Sequence, residues 1–276
     1  MARSCVFCGS TPLTNEHVFP QWLDKVLPEQ EPIRGHERRV VHFDGGETQP
    51  PEPFERVSAN TLTQTTVKRV CTNCNSGWMN DLEGEAREPL SGLIQDTAEA
   101  IDERQARSVA TWIAKTCLMA QLTEGESAAV PPAYYDWMYQ TREPPPLMRI
   151  WIYPHDADDW GARMEHQGLL YGTEPMDISD PPNIHSTTIG LGHLAFLVLG
   201  SAGPPEALDL TEQMVPRNGV RIWPNPRGFD WFRRTPLGHD ELWLLAELLA
   251  LVVTDFDRAV MRMIACDRWE GPTSPI

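Results

Sequence analysis

Apolar residues along this chain follow a helical period in some stretches and form short strand-like runs in others, a pattern that predicts a mixed α+β protein. Over 102–122, Val109, Ile113, Cys117 and Ala120 share one face of a helix that ends near Gly125. A last helical region begins near Asp240, a good N-cap residue with Leu242, Leu245 and Leu249 behind it, and reaches Met263. Between these two, strand-like runs fall at 148–153, 169–171, 187–191, 195–199 and 220–223, with Gly192-His193 as a turn between two of them.

The first third reads differently. After Pro20, a short amphipathic helix puts Trp22, Leu23, Val26 and Leu27 on one face. A strand over 39–43 enters a turn at Asp44-Gly45-Gly46, and the proline-rich 50–53 is a loop. A Thr- and Val-rich strand is expected over 61–70, then a helix over 73–88 ended by Pro89. The chain carries neither an internal repeat nor a glycine-rich phosphate loop.

Two CxxC pairs add chemistry to this pattern. Cys5 and Cys8 form the first, and Cys71 and Cys74 the second. Each CxxC turn puts both sulfurs on one side of a tight knuckle, so the two pairs can complete a tetrahedral zinc shell. The 62 residues between the pairs exceed what a compact zinc ribbon needs, so other structure must be folded between the knuckles. Four ordinary core thiols are the plain alternative. A redox dithiol requires one CxxC beside a βαβ pattern, which neither pair has. Cys117 and Cys266 lie in helical segments and read as reduced core residues of a cytoplasmic protein.

With 276 residues, the chain can bury a sizeable core and form two domains. Its first ten residues are polar and offer no signal-peptide core, and the longest apolar run, 242–253, is interrupted by Glu247 and too short to span a bilayer. The net charge of −16 opposes a broad phosphate-binding surface. Residues 1–95 hold 9 Lys/Arg against 13 Asp/Glu, and the rest 14 against 26. Basic residues cluster at Arg34, His36, Arg38 and Arg39, and at Lys68 and Arg69, and these read equally well as phosphate contacts or a solvated face.

Glu16 and His17 lie between the knuckles, and Asn75 follows the last cysteine. Phosphodiester hydrolysis needs a base for water and a cation for the charge on phosphate and leaving oxygen. Neutral histidine can be that base. A Mg²⁺-type ion held by one or two oxygen ligands can supply the rest, with Glu16 offering a carboxylate and Asn75 an amide oxygen. Trp22, Trp78 and Phe19 read either as core or as base-stacking groups. His185, His193 and His239 read as isolated and structural or exposed.

The set Cys5-x-x-Cys8, Thr14-Asn15-Glu16-His17-Val18-Phe19-Pro20 and Cys71-x-x-Cys74-Asn75-x-Gly77-Trp78 resembles the HNH, or ββα-metal, endonuclease family. The resemblance covers about a third of the chain. It implies an N-terminal HNH-like nuclease domain over 1–95, stapled by zinc on the four cysteines, followed by a separate α+β specificity or association domain over 96–276. By the same resemblance, His17 is the general base, and Glu16 and Asn75 hold a catalytic Mg²⁺ or Mn²⁺. The implied reaction is hydrolysis of DNA to a 5′-phosphate and a 3′-hydroxyl. The acidic charge of the second domain points to a protein partner or homodimer contact there, and the short apolar runs to no membrane association. Trp78 stands where many members carry a lysine. Asn80 and Glu83 lie further along the same helix as alternative ligands. Asn75 and Asn80 are about 140° apart on a regular helix, so both reach one ion only if the helix start is irregular. A catalytically silent zinc module for nucleic-acid or protein recognition is the alternative.

Overall fold

The computed structural model describes residues 3–27, 43–44, 47–48, 61–123, 130–156, 162–169, 183–202, 205–212, 215–232 and 234–246. Among these the fold is mixed helix and sheet. Strand β1 (Leu13–His17) leads through Pro20 into a 3₁₀ turn at Gln21–Lys25, where a short amphipathic helix was expected. Leu23 and Leu27 bury its inner side, and Thr63 Oγ1 donates 2.6 Å to Asp24 Oδ1. The short strands β2 (Phe43–Asp44) and β3 (Glu47–Thr48) pair with each other. Residues 39–42, 45–46 and 50–53, expected as strand, turn and loop, lie outside the described residues, as do Arg34, His36, Arg38, Arg39 and Cys266.

The stretch expected as a strand over 61–70 starts instead as a 3₁₀ turn, Leu62–Gln64. Thr61 and Gln64 form a capping box there that diverts the first residues from extended backbone. Strand β4 (Thr66–Cys71) follows and pairs antiparallel with β1, from Leu13↔Cys71 to His17↔Thr66. A short helix α1 (Thr72–Cys74), a π turn (Asn75–Met79) and helix α2 (Asn80–Ile94) then run on from one another. Pro89 does not end α2 but lies inside it. An interior proline removes one helical hydrogen bond and costs about 3 kcal/mol. Leu90, Leu93 and Ile94 are buried beyond it, and that burial, worth about 1.5–3 kcal/mol per side chain, carries the helix another turn.

Strand β5 (Ala100–Ile101) precedes α3 (Glu103–Gln121), which matches the helix expected over 102–122. Asp102 caps it by accepting from the Gln105 backbone at 2.7 Å. Helix α4 (Pro132–Thr141) was not anticipated; it starts with proline at a position that tolerates the missing N–H. Strands β6 (Met148–Pro154), β7 (Ala162–Leu169), β8 (Ile184–Leu191) and β9 (Leu194–Ser201), helix α5 (Pro205–Glu212) and strand β10 (Val220–Trp223) follow. The short strand β11 (Phe229–Asp230) pairs with β5, and α6 (His239–Ala246) is the described part of the expected last helix.

The main sheet is antiparallel, in the order β10-β6-β9-β8-β7. Strand β7 ends where a strand was expected to begin, because its sequence is mostly polar and its place at the sheet edge rests on backbone pairing with β8. Ile150, Ile152, Ile189, Phe196 and Val198 pack in one core with α3, while Trp151, Tyr153, Leu197 and Leu199 pack in a second with Leu208, Leu242 and Leu245. This is the period-2 alternation of a sheet covered on both faces. The first core runs from Cys5 and Phe7 through Leu90 and Trp112 to Phe196, so it crosses the expected boundary at 95/96. Gly192, in the β8–β9 turn, has φ +55°, and a Cβ there would lie 2.8 Å from the Ile94 carbonyl oxygen. Its neighbour His193 donates its backbone N–H to that oxygen at 2.9 Å and ties the sheet to the end of α2.

Candidate metal centre and adjoining carboxylate site

The four knuckle sulfurs converge. One Sγ from each of Cys5, Cys8, Cys71 and Cys74 lies within 4.8 Å of all the others. Cys8 Sγ is 3.5 Å from the sulfurs of both Cys71 and Cys74. A tetrahedral zinc shell with Zn–S bonds of about 2.3 Å has sulfur–sulfur edges of about 3.8 Å, so these residues fit such an ion. The first knuckle closes through Gly9 N–H to the Cys5 carbonyl at 2.9 Å, with Gly9 at φ +72°. Val6 N–H then reaches the Arg69 carbonyl at 3.0 Å, which lays this knuckle against β4. The second knuckle is the junction of β4 and α1, where strand geometry gives way to helix.

Thiol chemistry points the same way. Burial, then the neighbouring Cys8 sulfur, pushes the Cys74 thiol well above its ordinary range, and burial likewise raises Cys71. Burial also works to raise Cys8, but hydrogen bonds from Ser10, Cys71 and Cys74 together outweigh it and bring this thiol down to about 6. Crowded thiols resist losing their protons together, and a divalent cation removes that resistance. The cluster could hold a metal such as zinc.

Glu16 and His17 end β1. Between the pairs Thr14↔Val70 and Glu16↔Val67, Lys68 and Arg69 of β4 lie opposite Asn15 alone, a bulge on β4 that resets the alternation of that strand. Glu16 is buried and His17 half-buried. His17 Nε2 lies 3.2 Å from the side-chain nitrogen of Gln21, so with that amide orientation the neutral ring accepts at Nε2. Burial pushes the Glu16 carboxyl up to about 7, against the opposing pull of Lys115 and with a further push from Glu83. Glu16, Glu83 and Lys115 therefore form one electrostatic group, in which Lys115 Nζ lies 2.9 Å from Glu83 Oε1.

Asn75 is half-buried and opens the π turn; its carbonyl accepts from the backbone N–H of Asn80. The start of this helix is irregular, with Gly77 at φ −96° and ψ −117°. Among the described residues, no hydrogen bond joins the Asn75 side chain to Glu16 or His17, and Asn80 is exposed. Glu83 is the residue of α2 that lies within electrostatic reach of Glu16.

Aromatic side chains fill the space around both clusters. Phe7 packs edge-on against Trp78 and Tyr135, at ring-centroid distances of 5.1 and 5.6 Å, so α4 seats directly on the first knuckle. Trp22 lies 6.5 Å from Trp112, whose ring is 5.9 Å from Lys115 Nζ. Trp78 and Phe19 both belong to the core environment: Phe19 is fully buried, and Trp78 packs against the core while Arg142 covers its face at 4.6 Å.

Lys115 and Gln21 escaped the sequence reading. A signal for Lys115 existed, since it is the sole charged residue in the stretch 108–121, which is buried throughout. His185, expected to be structural or exposed, is completely buried, and His193 is half-buried in the turn. No helix among the described residues is long and apolar enough to cross a membrane. Comparison of the chain with family models, with curated proteins and with solved structures gives no match.

Proposed function

We propose that the protein is a metal-dependent endonuclease of the HNH type that hydrolyses phosphodiester bonds, with DNA as substrate. The observation that supports this reading is the junction at the end of β1. There a buried carboxylate, Glu16, next to the half-buried His17, lies within electrostatic reach of Glu83 on a helix that grows directly out of a four-cysteine cluster. In this reading, zinc on the cysteines makes the β1–β4–α2 unit rigid. His17 takes a proton from water. Glu16, with Asn75 or Glu83 from the helix, holds Mg²⁺ or Mn²⁺ against the phosphate and leaving oxygen. A bound divalent cation also favours the ionised form of Glu16 over the neutral one that burial favours.

The experiment is a supercoiled-plasmid nicking assay with the purified chain, with and without Mg²⁺ or Mn²⁺. Metal-dependent nicking that is lost in His17→Ala, with zinc content unchanged, supports the reading. Equal nicking by parent and variant overturns it.

One observation favours the alternative, a silent zinc module for nucleic-acid or protein recognition. The Lys115 ammonium already neutralises Glu83 and attracts Glu16. In a silent module, that buried lysine is a permanent substitute for a divalent cation, and no metal dependence is seen.

A further inference from the structure

We infer that Arg87, held over the ring of Trp22, is a phosphate-binding cation beside the Glu16/His17 site. The inference rests on nucleic acid being the substrate class proposed above, and not on the cleavage chemistry. Arg87 lies on α2, one turn beyond Glu83, on the same side of the helix. Its guanidinium carbon is 5.6 Å from the centroid of Trp22, the residue next to Gln21, whose side chain contacts His17. Arg87 is thus joined to the histidine by its ring contact with Trp22, the chain step to Gln21 and the Gln21–His17 contact, while Glu83, one turn back on the same helix, pairs with Lys115.

Arg87 stands apart from the other described arginines that lie over aromatic rings. Arg142 covers Trp78 and Tyr139, but it also donates to the Met138 and Tyr139 carbonyls and so closes the end of α4. Arg234 covers Phe229 and donates to the Asp230 carbonyl. The Arg87 guanidinium has a ring beneath it and, among the described residues, neither a carboxylate nor a carbonyl partner, so its five N–H donors remain available. The ring contact restricts the guanidinium before a ligand arrives, which reduces the ordering cost of a phosphate contact. In a chain of net charge −16, a polyanion gains most where a cation is fixed in place and not already neutralised.

The test uses the full chain carrying His17→Ala, so that bound DNA stays intact, with a fluorescein-labelled 20-base-pair duplex and the matching single strand as probes. Anisotropy titrations run over a series of salt concentrations. Adding Arg87→Ala is expected to weaken binding on the order of tenfold whatever the sequence, and to lower the salt slope by about one. Arg87→Lys is expected to recover the salt slope but only part of the affinity. Arg104→Ala, which removes an exposed arginine on α3, is expected to change neither. Zinc content and thermal midpoint are expected to stay at parental values, because Arg87 is exposed. Parental affinity and salt slope in Arg87→Ala overturn the inference, as does failure of the His17→Ala chain to bind either probe. Loss of plasmid nicking is scored separately in Arg87-intact protein, so the nuclease reading and this inference fail independently.

Discussion

Lys115, on α3, and Glu83, on α2, meet at 2.9 Å with the lysine side chain wholly buried and the glutamate side chain 21% exposed. Removing one partner of such a pair strands the other charge, which for a buried pair costs about 3–5 kcal/mol. The partial exposure of Glu83 puts the expected loss at the lower end. Lys115→Met, which strands the partly exposed carboxylate, is therefore predicted to be destabilised by about 3 kcal/mol in urea unfolding, and Glu83→Gln, which strands the wholly buried ammonium, by at least as much. Lys115→Met is also predicted to raise the Glu16 carboxyl further, because the ammonium is what holds it down. Carboxylate titration followed by NMR checks this.

That pair marks the limit of what the sequence displays. Each CxxC turn is a local structure, so its two sulfurs are legible from spacing alone, and the joining of two knuckles follows from the valence of the ion they suit. Helix α3 was legible because its apolar face repeats with the helical period and Asp102 caps it. Strand β7 was misplaced because edge pairing leaves a weak hydrophobic pattern, and Pro89 misled because the packing that overrides it lies on another element. The meeting of Glu16 with Glu83 and Lys115 depends on how α2 and α3 pack against β1, and no local spacing encodes that.

The buried histidines predict acid sensitivity. Among the described residues neither ring nitrogen of His185, on β8, has a hydrogen-bond partner, and its Nε2 would lie 2.0 Å from a Cβ at Gly200, so the ring occupies the space that this glycine leaves on β9. Tyr134 of α4 and His166 of β7 are its ring neighbours, at 6.4 and 6.0 Å. His166 in turn contacts Gln121 of α3 and Thr187. Burial, then the neighbouring His166, lowers His185 to about 3, and burial lowers His166 to about 4. Their unfolded value is about 6.5, so the unfolded chain binds more protons as pH falls below that, and stability is lost from about 6.5 down to about 3. The slope is at most about 1.4 kcal/mol per pH unit for each histidine. Glu16 has the opposite sign, since its raised value near 7 favours the fold at low pH. Urea midpoints at pH 7 and pH 5 are predicted to differ, and His185→Leu to flatten the dependence.

Gly200→Ala isolates the same packing without titration. The new methyl would meet the His185 ring at 2.0–2.8 Å, on a strand with neighbours on both sides. Overpacking of this kind typically costs about 1–3 kcal/mol. The double variant Gly200→Ala with His185→Ala is predicted to recover much of that loss. A double-mutant cycle in urea measures the coupling.

Metal analysis of the purified chain is predicted to give about one tightly held zinc. Structural zinc supplies folding free energy directly, so Cys71→Ser is predicted to release the ion and disorder the first knuckle, β1 and β4. Because Phe7 packs on Tyr135 and the core continues through Leu90 to Trp112, the loss is predicted to reach α4 and α2 as well. Hydrogen exchange with and without a chelator checks this, and protection confined to unchanged values in α4 contradicts it.

The proposed catalytic residues are separable by their response to metal. His17→Ala removes the proposed base, a loss on the order of 10²–10⁴ in rate, and added Mg²⁺ or Mn²⁺ cannot replace a proton acceptor. Glu16→Ala and Asn75→Ala weaken a hard-cation site instead, so their cleavage is predicted to return in part as metal concentration rises. Glu83 discriminates between the two helix-borne ligands. If it binds the ion, Glu83→Gln shows the same metal rescue as Glu16→Ala while Asn75→Ala cuts like the parent. If it serves only as the partner of Lys115, Glu83→Gln lowers stability and leaves the metal dependence of cleavage unchanged. Nicking rates over a metal series, with urea midpoints for each variant, distinguish these outcomes; a parental rate in His17→Ala sinks the assignment of the base, and no metal-dependent nicking by the parent leaves the silent module in its place.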